Sequence, residues 1–589
     1  MRKSSTQTES VFQGTAYVHG RASGKLIASD LALSFWGGID PQTGEVIDRH
    51  HPLSGQYLQD TVLAIPGGRG SCSGSGVMLE LLLNNKGPKA ILFARKEDIL
   101  TLGVMIAEEI FGKSIPVVTL NARDFQDIQN ASYVRVDGNR VSQIESNATA
   151  ETPQPGCTDT QQEPPTGDIM LTELDKAFLH GLLGEAARTA MRIILRMAHL
   201  AGAQQLMDVT QVHIDGCVYT GPGSLAFAEK LRDLGGRVLV PTTLNSISVD
   251  QRRWRALGID SAFGKASERL ATAYTDMGAH PTFTCAPYLL DSAPKRGDQV
   301  AWAESNAVVY ANSVLGARTM KYPDFLDICI ALTGRAPLEG MHIETNRLAS
   351  LCVKLPDIQD VKNVDDSFYP LLGYCIGGIS GGHIPVVVGL DTLAPSTDDL
   401  KAFGAAFATV ASAPMFHIVG VTPEATTLEA AIGQGREVNT VDLDLKELDS
   451  CWKKFNTAQT HQAVDLVSLG NPHFSLTEVK KLASICRGRT KNKQVAVVVT
   501  CGRTTYGLAN QQGLIVELEE FGVQFLTDTC WCMIVEPVIP PAAKVIMTNS
   551  AKYAHYGPGL TGRQFCFGSL TSCVETACQG RYVQGSVVS

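Results

Sequence analysis

The residues best equipped for chemistry fall into three groups. A glycine-rich run, Gly67-Gly68-Arg69-Gly70-Ser71-Cys72-Ser73-Gly74-Ser75-Gly76, follows the strand-like Thr61–Pro66 and precedes the helix-like Val77–Asn84. In a strand–loop–helix arrangement, backbone N–H groups and the helix dipole favour negative charge. The run lacks the Gly-Lys-Ser/Thr ending of a P-loop, and it is no nucleophile elbow with a nameable histidine partner. It reads as a cradle for a substrate carboxylate or a serine oxyanion, or as a tight turn between a strand and a helix. The second group is cysteines at strand ends: Cys285 in TFTCAPY, Cys501 closing VAVVVTCG, and Cys530 in TDTCWC with Cys532 two residues on. The absence of Cys-x-x-Cys excludes a zinc ribbon or ferredoxin motif. Isolated thiols either converge on a metal or fill the core as small hydrophobes. The third group is polar. His213, His473 and His555 follow or end strands, and WAESNAVVYANSVLGART (residues 302–319) carries Glu304, Asn306, Asn312 and Arg318 in a helical stretch. That spacing predicts several hydrogen-bonding groups on one helix face, lining a site or capping a buried network.

The elements that must position these groups alternate. Thr61–Pro66, Ala90–Ala94 and Pro116–Leu120 read as strands, with helices at Val77–Asn84 and Leu102–Phe111. Leu174–Ala201 reads as one long amphipathic helix, with Leu179, Leu182, Leu183, Ala186 and Ala190 on its apolar side. Further strands are expected at Val209–Ile214, Val238–Pro241, Ala463–Leu469, Gln494–Thr500 and Lys544–Met547, with helices at Leu225–Leu234 and Ser267–Met277. Strand–helix alternation predicts an α/β fold, and ligands in such sheets bind beyond the carboxyl ends of strands. Residues 147–167 (NATAETPQPGCTDTQQEPPTG) have linker composition. They divide the chain into a small domain (1–146) and a large region (168–589) that is too long for one core.

Composition narrows the function. The chain has 589 residues, 44% hydrophobic and 19% charged, which is a globular mixture. Fifty Lys and Arg against fifty-nine Asp and Glu give a net charge of −9. An acidic chain without a basic, aromatic-interleaved surface argues against nucleic-acid binding. No apolar run reaches the length of a membrane span, and neither a secretory h-region nor a Ser-Lys-Leu tail is present. Fifteen cysteines in a long chain fit a reducing compartment better than a disulfide scaffold. The expectation is a cytoplasmic protein, monomeric or weakly self-associating, acting on a small molecule.

Several segments together resemble the aconitase X family, a divergent branch of the aconitase superfamily: GGRGSCSGS, PTTLN, TCAPYL, WAESNAVVYANSVLGART, GNPHFS, TDTC and SAKYAHYGPG, in family order along almost the whole chain. The resemblance implies an aconitase-like large α/β region fused through the linker to a smaller swivelling β/α domain, and hydro-lyase activity. One branch of the family dehydrates cis-3-hydroxy-L-proline to 1-pyrroline-2-carboxylate; an archaeal branch dehydrates mevalonate 5-phosphate. The archaeal-type pattern has a cysteine before Pro-His, where this chain has Asn471. That difference and the fused arrangement favour the hydroxyproline branch.

By the same resemblance, Cys285, Cys501 and Cys530 are the ligands of an iron–sulfur cluster, 2Fe–2S in this branch, with Cys501 replacing the thiol lost at Asn471. Three thiolates leave iron an open position from which it can withdraw a hydroxide as a Lewis acid. Ser71 matches the family's serine base; the glycine loop, the helix N-terminus and Arg69 would stabilise its alkoxide. Ser75 is the competing base. Asn245, Asn312, Arg318, His473 and Lys552 are candidates for holding the substrate, and His51 for closing over it. The rival readings are a dehydratase of a phosphorylated hydroxy acid and an iron-sensing RNA-binding protein. Ser-, Asn- and Gly-rich strand-end loops disfavour the first, and the acidic balance disfavours the second.

Overall fold

The computed structural model describes residues 10–48, 51–145, 154–155, 167, 169–356 and 364–582. The expected linker therefore lies outside the described residues, except for Gln154–Pro155 and Gly167. The chain divides into two compact units. The first comprises Met1–Leu206 with Thr220–Phe227 and Pro323–Cys329; the second comprises Met207–Tyr219, Ala228–Tyr322 and Ile330–Ser589.

The first unit is built on a nine-stranded mixed sheet. At its centre four strands run parallel: Gly20–Ala28, Thr61–Ile65, Ala90–Phe93 and Val117–Thr119. Val11–Gln13 forms one edge and Thr15–Val18 the other. Only Gly14 separates these two edge strands in the chain, so the sheet must curl until its edges meet. Ala22, Val62, Ala64, Leu92, Val118 and Val134 fill its apolar interior. Two helices, Gly74–Leu83 and Ile99–Phe111, pack closely. Gly103 permits this, because a Cβ there would stand 2.5 Å from the Ser75 carbonyl oxygen.

The single helix expected over Leu174–Ala201 is two helices, Glu173–Leu179 and Glu185–Ala201. Gly181 and Gly184 between them have φ of 75° and 104°, which L side chains avoid. Leu182 and Leu183, placed on the apolar side by periodicity, are instead exposed in the connecting turn.

Among the described residues, the second unit contains three sheets of three or more strands, all parallel, each with its earliest strand inside. The first orders Thr242–Leu244, Val212–Ile214 and Ala301–Trp302. The second orders His417–Ile418, Pro385–Val388, Leu351–Lys354 and Asn439–Asp442. The third orders Val523–Leu526, Ala496–Cys501, Leu466–Phe474, Val545–Thr548 and Gln564–Phe567. Val238–Pro241 leads into a strand and is not one itself; Pro241 has no N–H to give a ladder. In each sheet the chain leaves the central strand in opposite directions, which opens a crevice at the strands' carboxyl ends. In the third sheet that switch point lies between Leu466–Phe474 and Val545–Thr548; in the first it lies between Val212–Ile214 and Ala301–Trp302.

The stretch 302–319 is helical only in part. Ser305–Tyr310 is an α-helix that widens into a π-turn at Ala311–Leu315. The wider turn rotates the residues after it about the helix axis, so the polar side chains of this stretch do not share one face.

A candidate thiolate site at the ends of parallel strands

The ends of these strands assemble a cysteine cluster within the second unit. Cys285 follows Thr284 in a loop, and its sulfur accepts a hydrogen bond from the His473 N–H at 3.3 Å. Cys530 and Cys532 lie just past the strand Val523–Leu526. The Cys530 thiol is hydrogen-bonded by both Cys285 and Cys532. Those two bonds, with the Lys552 charge and the Ser246 hydroxyl, hold it well below the usual thiol range despite burial. Burial and the neighbouring Cys530 push Cys285 up, and the bond to Cys530 does the same to Cys532. Of the three, Cys530 is therefore the thiol whose ionisation its surroundings favour.

Lys552 supplies the opposite charge. It stands in the first turn of the helix Ala551–Thr561, just beyond the strand Val545–Thr548. Its ammonium lies 2.9 Å from Glu304 Oε1. Glu304 caps the helix Ser305–Tyr310, accepting from the Ala307 N–H at 2.8 Å, and also bonds the Asn306 amide. Asn306 in turn donates to the Cys285 carbonyl at 3.1 Å and accepts from the Tyr288 hydroxyl at 2.8 Å. His473 is buried and neutral; its Nε2–H donates to the Thr529 carbonyl at 2.8 Å, and its Nδ1 meets the Thr284 hydroxyl at 3.1 Å. That pair of bonds ties the loop carrying Cys530 to the loop carrying Cys285. Asn471 donates to the Cys532 sulfur at 3.5 Å. An open cleft lies beside this cluster, lined among others by Asn471, Lys552, Ser550, Lys401 and Glu478.

Other expected residues sit elsewhere. Cys501 is fully buried among Val499, Ala509 and Phe525, and burial pushes its thiol up to about 12; it is not in the hydrogen-bonded trio. Asn245 bonds Asp215 and accepts from the Ser246 N–H, next to the hydroxyl that reaches Cys530. Asn312 is committed to the Thr319 and Pro414 carbonyls, the Thr319 N–H and the Arg347 guanidinium. Arg318 pairs with Glu344 at 3.3 Å. His213 is buried and held down to about 3. Among the described residues, no group of three or more His, Cys, Asp or Glu is arranged to hold a metal ion. The donor chemistry nevertheless suits a thiolate-bound group: three soft sulfurs beside a buried cation.

The sequence pointed to Cys532, Glu304 and Asn306 but assigned none of them a role: it did not count Cys532 among the ligands, pair Glu304 with Lys552, or bring Asn306 to Cys285. For Cys532 a signal existed, since TDTCWC puts a second thiol two residues from the first.

In the first unit the glycine-rich loop is a strand-to-helix turn. Gly70 has a φ of 84°. Ser71 is half-buried; its Oγ accepts from the Ser73 N–H and donates to the Ser73 hydroxyl, both at 3.3 Å. Ser75 is fully buried, with its Oγ against the Cys72 and Asp324 carbonyls at 3.1 and 3.2 Å. Arg69 pairs with Asp48 at 3.0 Å. His51 is buried; its Nε2 donates to the Leu31 carbonyl at 3.0 Å and its Nδ1 accepts from the Leu53 N–H at 3.2 Å. Glu97, buried beside the loop, accepts from the Leu100 and Thr101 N–H groups.

Parallel sheets with three cysteines grouped beyond their strand ends define an α/β protein of the aconitase-like class. Profiles for the aconitase X swivel domain, first domain, second domain and third domain match residues 11–145, 168–345, 349–453 and 464–579, and the chain belongs to the aconitase X family. It is 67% identical to a cis-3-hydroxy-L-proline dehydratase of Hypocrea jecorina, over 97% of this chain and 96% of that one. It is 51% identical to a protein of the same name from Pseudomonas aeruginosa, over 96% of each. The crystal structure of Thermococcus kodakaraensis aconitase X in its holo-form superposes with a TM-score of 0.62 at 28% identity, covering 69% of this chain and all of that one. The chain is a hydro-lyase. Among the described residues no helix is long and apolar enough to cross a membrane.

Proposed function

We propose that this chain dehydrates cis-3-hydroxy-L-proline to 1-pyrroline-2-carboxylate, using an iron–sulfur cluster, of the 2Fe–2S type, held by the thiols at the sheet ends. The carrying observation is the grouping of Cys530 with Cys285 and Cys532 beyond the strand ends, next to Asn471 and Lys552, which line the neighbouring cleft. The 67% and 51% identity to two enzymes of that name supports the substrate. Cys285 and Cys530 are two of the ligands. Cys532 is the third, because it hydrogen-bonds Cys530 and stands beside Asn471, the position of the lost thiol; Cys501 is the alternative that the family resemblance supplies.

When bound, the cluster supplies Lewis acidity for departure of the 3-hydroxyl. The protein's own groups do the rest. Lys552 holds charge on the sulfurs, and Glu304 fixes Lys552. The first turn of the helix Ala551–Thr561 presents backbone N–H groups to a substrate carboxylate. His473, kept neutral by burial, fixes the Cys285 and Cys530 loops without adding charge. Ser71 takes the C2 proton, which is α to the carboxylate; its hydroxyl is the more accessible of the two serines, whereas Ser75 is spent on two carbonyls. The resulting enamine tautomerises to the cyclic imine. Residues 1–146 then form the swivelling domain that carries the base, and 168–589 the catalytic region, in a cytoplasmic enzyme.

The test uses full-length protein purified without oxygen. Iron and sulfide analysis, the visible spectrum, and turnover of cis-3-hydroxy-L-proline against mevalonate 5-phosphate are measured together. Bound iron with turnover of the hydroxyproline supports the reading; turnover of the phosphate ester alone overturns the substrate, and protein that is active without iron overturns the cofactor.

A further inference from the structure

A second thiol pair lies in the second unit, apart from the site just described. Cys375 on the helix Phe368–Ser380 and Cys451 on the helix Leu445–Phe455 have their sulfurs 2.9 Å apart, in a thiol–thiol hydrogen bond spanning 76 residues of chain. The two helices pack against each other directly. Both sulfurs belong to an apolar cluster with Phe455, Trp452, Leu372 and Ile376, yet they lie at its rim. Cys451 retains 8% exposure, and Glu447 and Lys454, one turn to either side, are exposed. Neither thiol contributes to the Cys285–Cys530–Cys532 charge network or to the cavity beside it.

We propose that Cys375 and Cys451 form a reversible disulfide, a redox-modification site that joins these two helices when the protein meets a peroxide. A disulfide needs its sulfurs at about 2.05 Å, and the hydrogen-bonded pair is within a small side-chain adjustment of that. Cys451, the more exposed of the two and one turn from the Lys454 ammonium, is the attacking sulfur; the Cys375 contact and the Lys454 charge lower its thiol from the ordinary value, while the same contact and burial push Cys375 up. The Cys451 thiolate attacks a peroxide oxygen, the O–O bond breaks, and hydroxide or alkoxide leaves, giving Cys451 sulfenic acid. The Cys375 sulfur then attacks that sulfur, the S–O bond breaks, and the departing hydroxide takes the Cys375 proton as water. Two thiols are oxidised, one peroxide is reduced, and a thiol reductant reverses the change. The cross-link closes a long loop, so it restricts the unfolded chain. On the Phe368–Ser380 helix, Tyr374 is adjacent to Cys375 and its hydroxyl meets His555 Nδ1 at 3.1 Å, which links the same helix to Ala551–Thr561.

The experiment exposes the full-length protein to hydrogen peroxide, quenches with an alkylating agent, and maps peptides without reduction. The readout is the peptide linkage, because loss of activity would report only damage at the other cysteines. The expected result is a Cys375–Cys451 linked peptide that disappears on treatment with dithiothreitol, and oxidised protein that melts several degrees higher than Cys375→Ser treated alike. Cys375→Ser should leave Cys451 trapped as a dimedone adduct, and Cys451→Ser should leave Cys375 unmodified. If either variant fails to fold, the wild-type peptide map decides alone. Absence of the linked peptide while other thiols oxidise, or a linkage that dithiothreitol does not reverse, overturns the proposal.

Discussion

Lys552 and Glu304, 248 residues apart, form an ion pair at 2.9 Å with only 14% and 8% of their side chains exposed. The pair joins the start of the helix Ala551–Thr561 to the start of Ser305–Tyr310, and its ammonium is the cation that faces the three thiols. Removing one member strands the other in a low-dielectric interior, which costs about 3–5 kcal/mol. Lys552→Ala should therefore lower the unfolding free energy by that order. The double variant Lys552→Ala/Glu304→Gln should recover part of the loss, because it also removes the stranded carboxylate. Denaturant titration of the three proteins checks this; equal losses in the single and double variants would dismiss the buried charge as the cause.

The sulfur set can be separated by spectrum. Cys285→Ser, Cys530→Ser and Cys532→Ser should each bleach the visible iron–sulfur absorbance of anaerobically purified protein. Cys501→Ser should keep it and lose only about 1 kcal/mol of stability, as expected for placing a hydroxyl in an apolar core. The reverse pattern, with Cys501→Ser bleached and Cys532→Ser intact, would give the third position to Cys501.

The two serines of the glycine-rich loop should part in opposite ways. Ser71→Ala is expected to reduce kcat by about 10²–10⁴-fold, the size of a lost proton-transfer group, with Tm and cluster spectrum unchanged. Ser75→Ala should destabilise the protein by about 1 kcal/mol, because the buried Cys72 and Asp324 carbonyls lose the hydroxyl that faces them. Ser71→Ala with full turnover would move the base elsewhere.

Glu97 gives stability a pH dependence of known sign. Burial, with the Asp98 charge adding, raises its carboxyl from 4.5 to about 8. The folded protein thus holds a proton that the unfolded chain releases, so the contribution of the neutral carboxyl is full below about pH 4.5 and is lost as pH rises through about 8. The slope is at most about 1.4 kcal/mol per pH unit. Between those limits, Glu97→Gln should gain stability relative to wild type as pH increases. Thermal melts across the range measure it; a difference that does not change with pH would show that Glu97 is ionised in the folded state.

Close backbone packing in the second unit can be tested at Gly373. A Cβ there would lie 2.2 Å from the Phe403 carbonyl oxygen, where no rotamer can relieve the clash. Gly373→Ala should cost about 1–3 kcal/mol. Gly378→Ala on the same helix, where a Cβ meets open space, should be neutral or slightly stabilising. Chemical denaturation of both gives the comparison.

Much was legible in the sequence because it depended on near neighbours. The strand–glycine loop–helix around Ser71, the short apolar strands and the Gly-Asn-Pro-His strand end all follow from propensity and turn chemistry within a few residues. Periodicity also misled locally. Leu182 and Leu183 continued the apolar register of 174–201, but Gly181 and Gly184 turn the chain there. The π-turn at Ala311–Leu315 likewise rotated Asn312 towards Arg347 and Thr319, away from the face that Asn306 presents to Cys285.

Composition and local pattern alone thus determined an acidic α/β chain, the places where its strands end, and the thiols and serines that stand there. Tertiary structure decided which of those thiols meet, that Lys552 answers Glu304, and that Ser75 is spent on two carbonyls. The reason is physical: a side chain's charge state is set by whatever surrounds it in space, and for Cys530 those surroundings come from strand ends and loops separated by hundreds of residues.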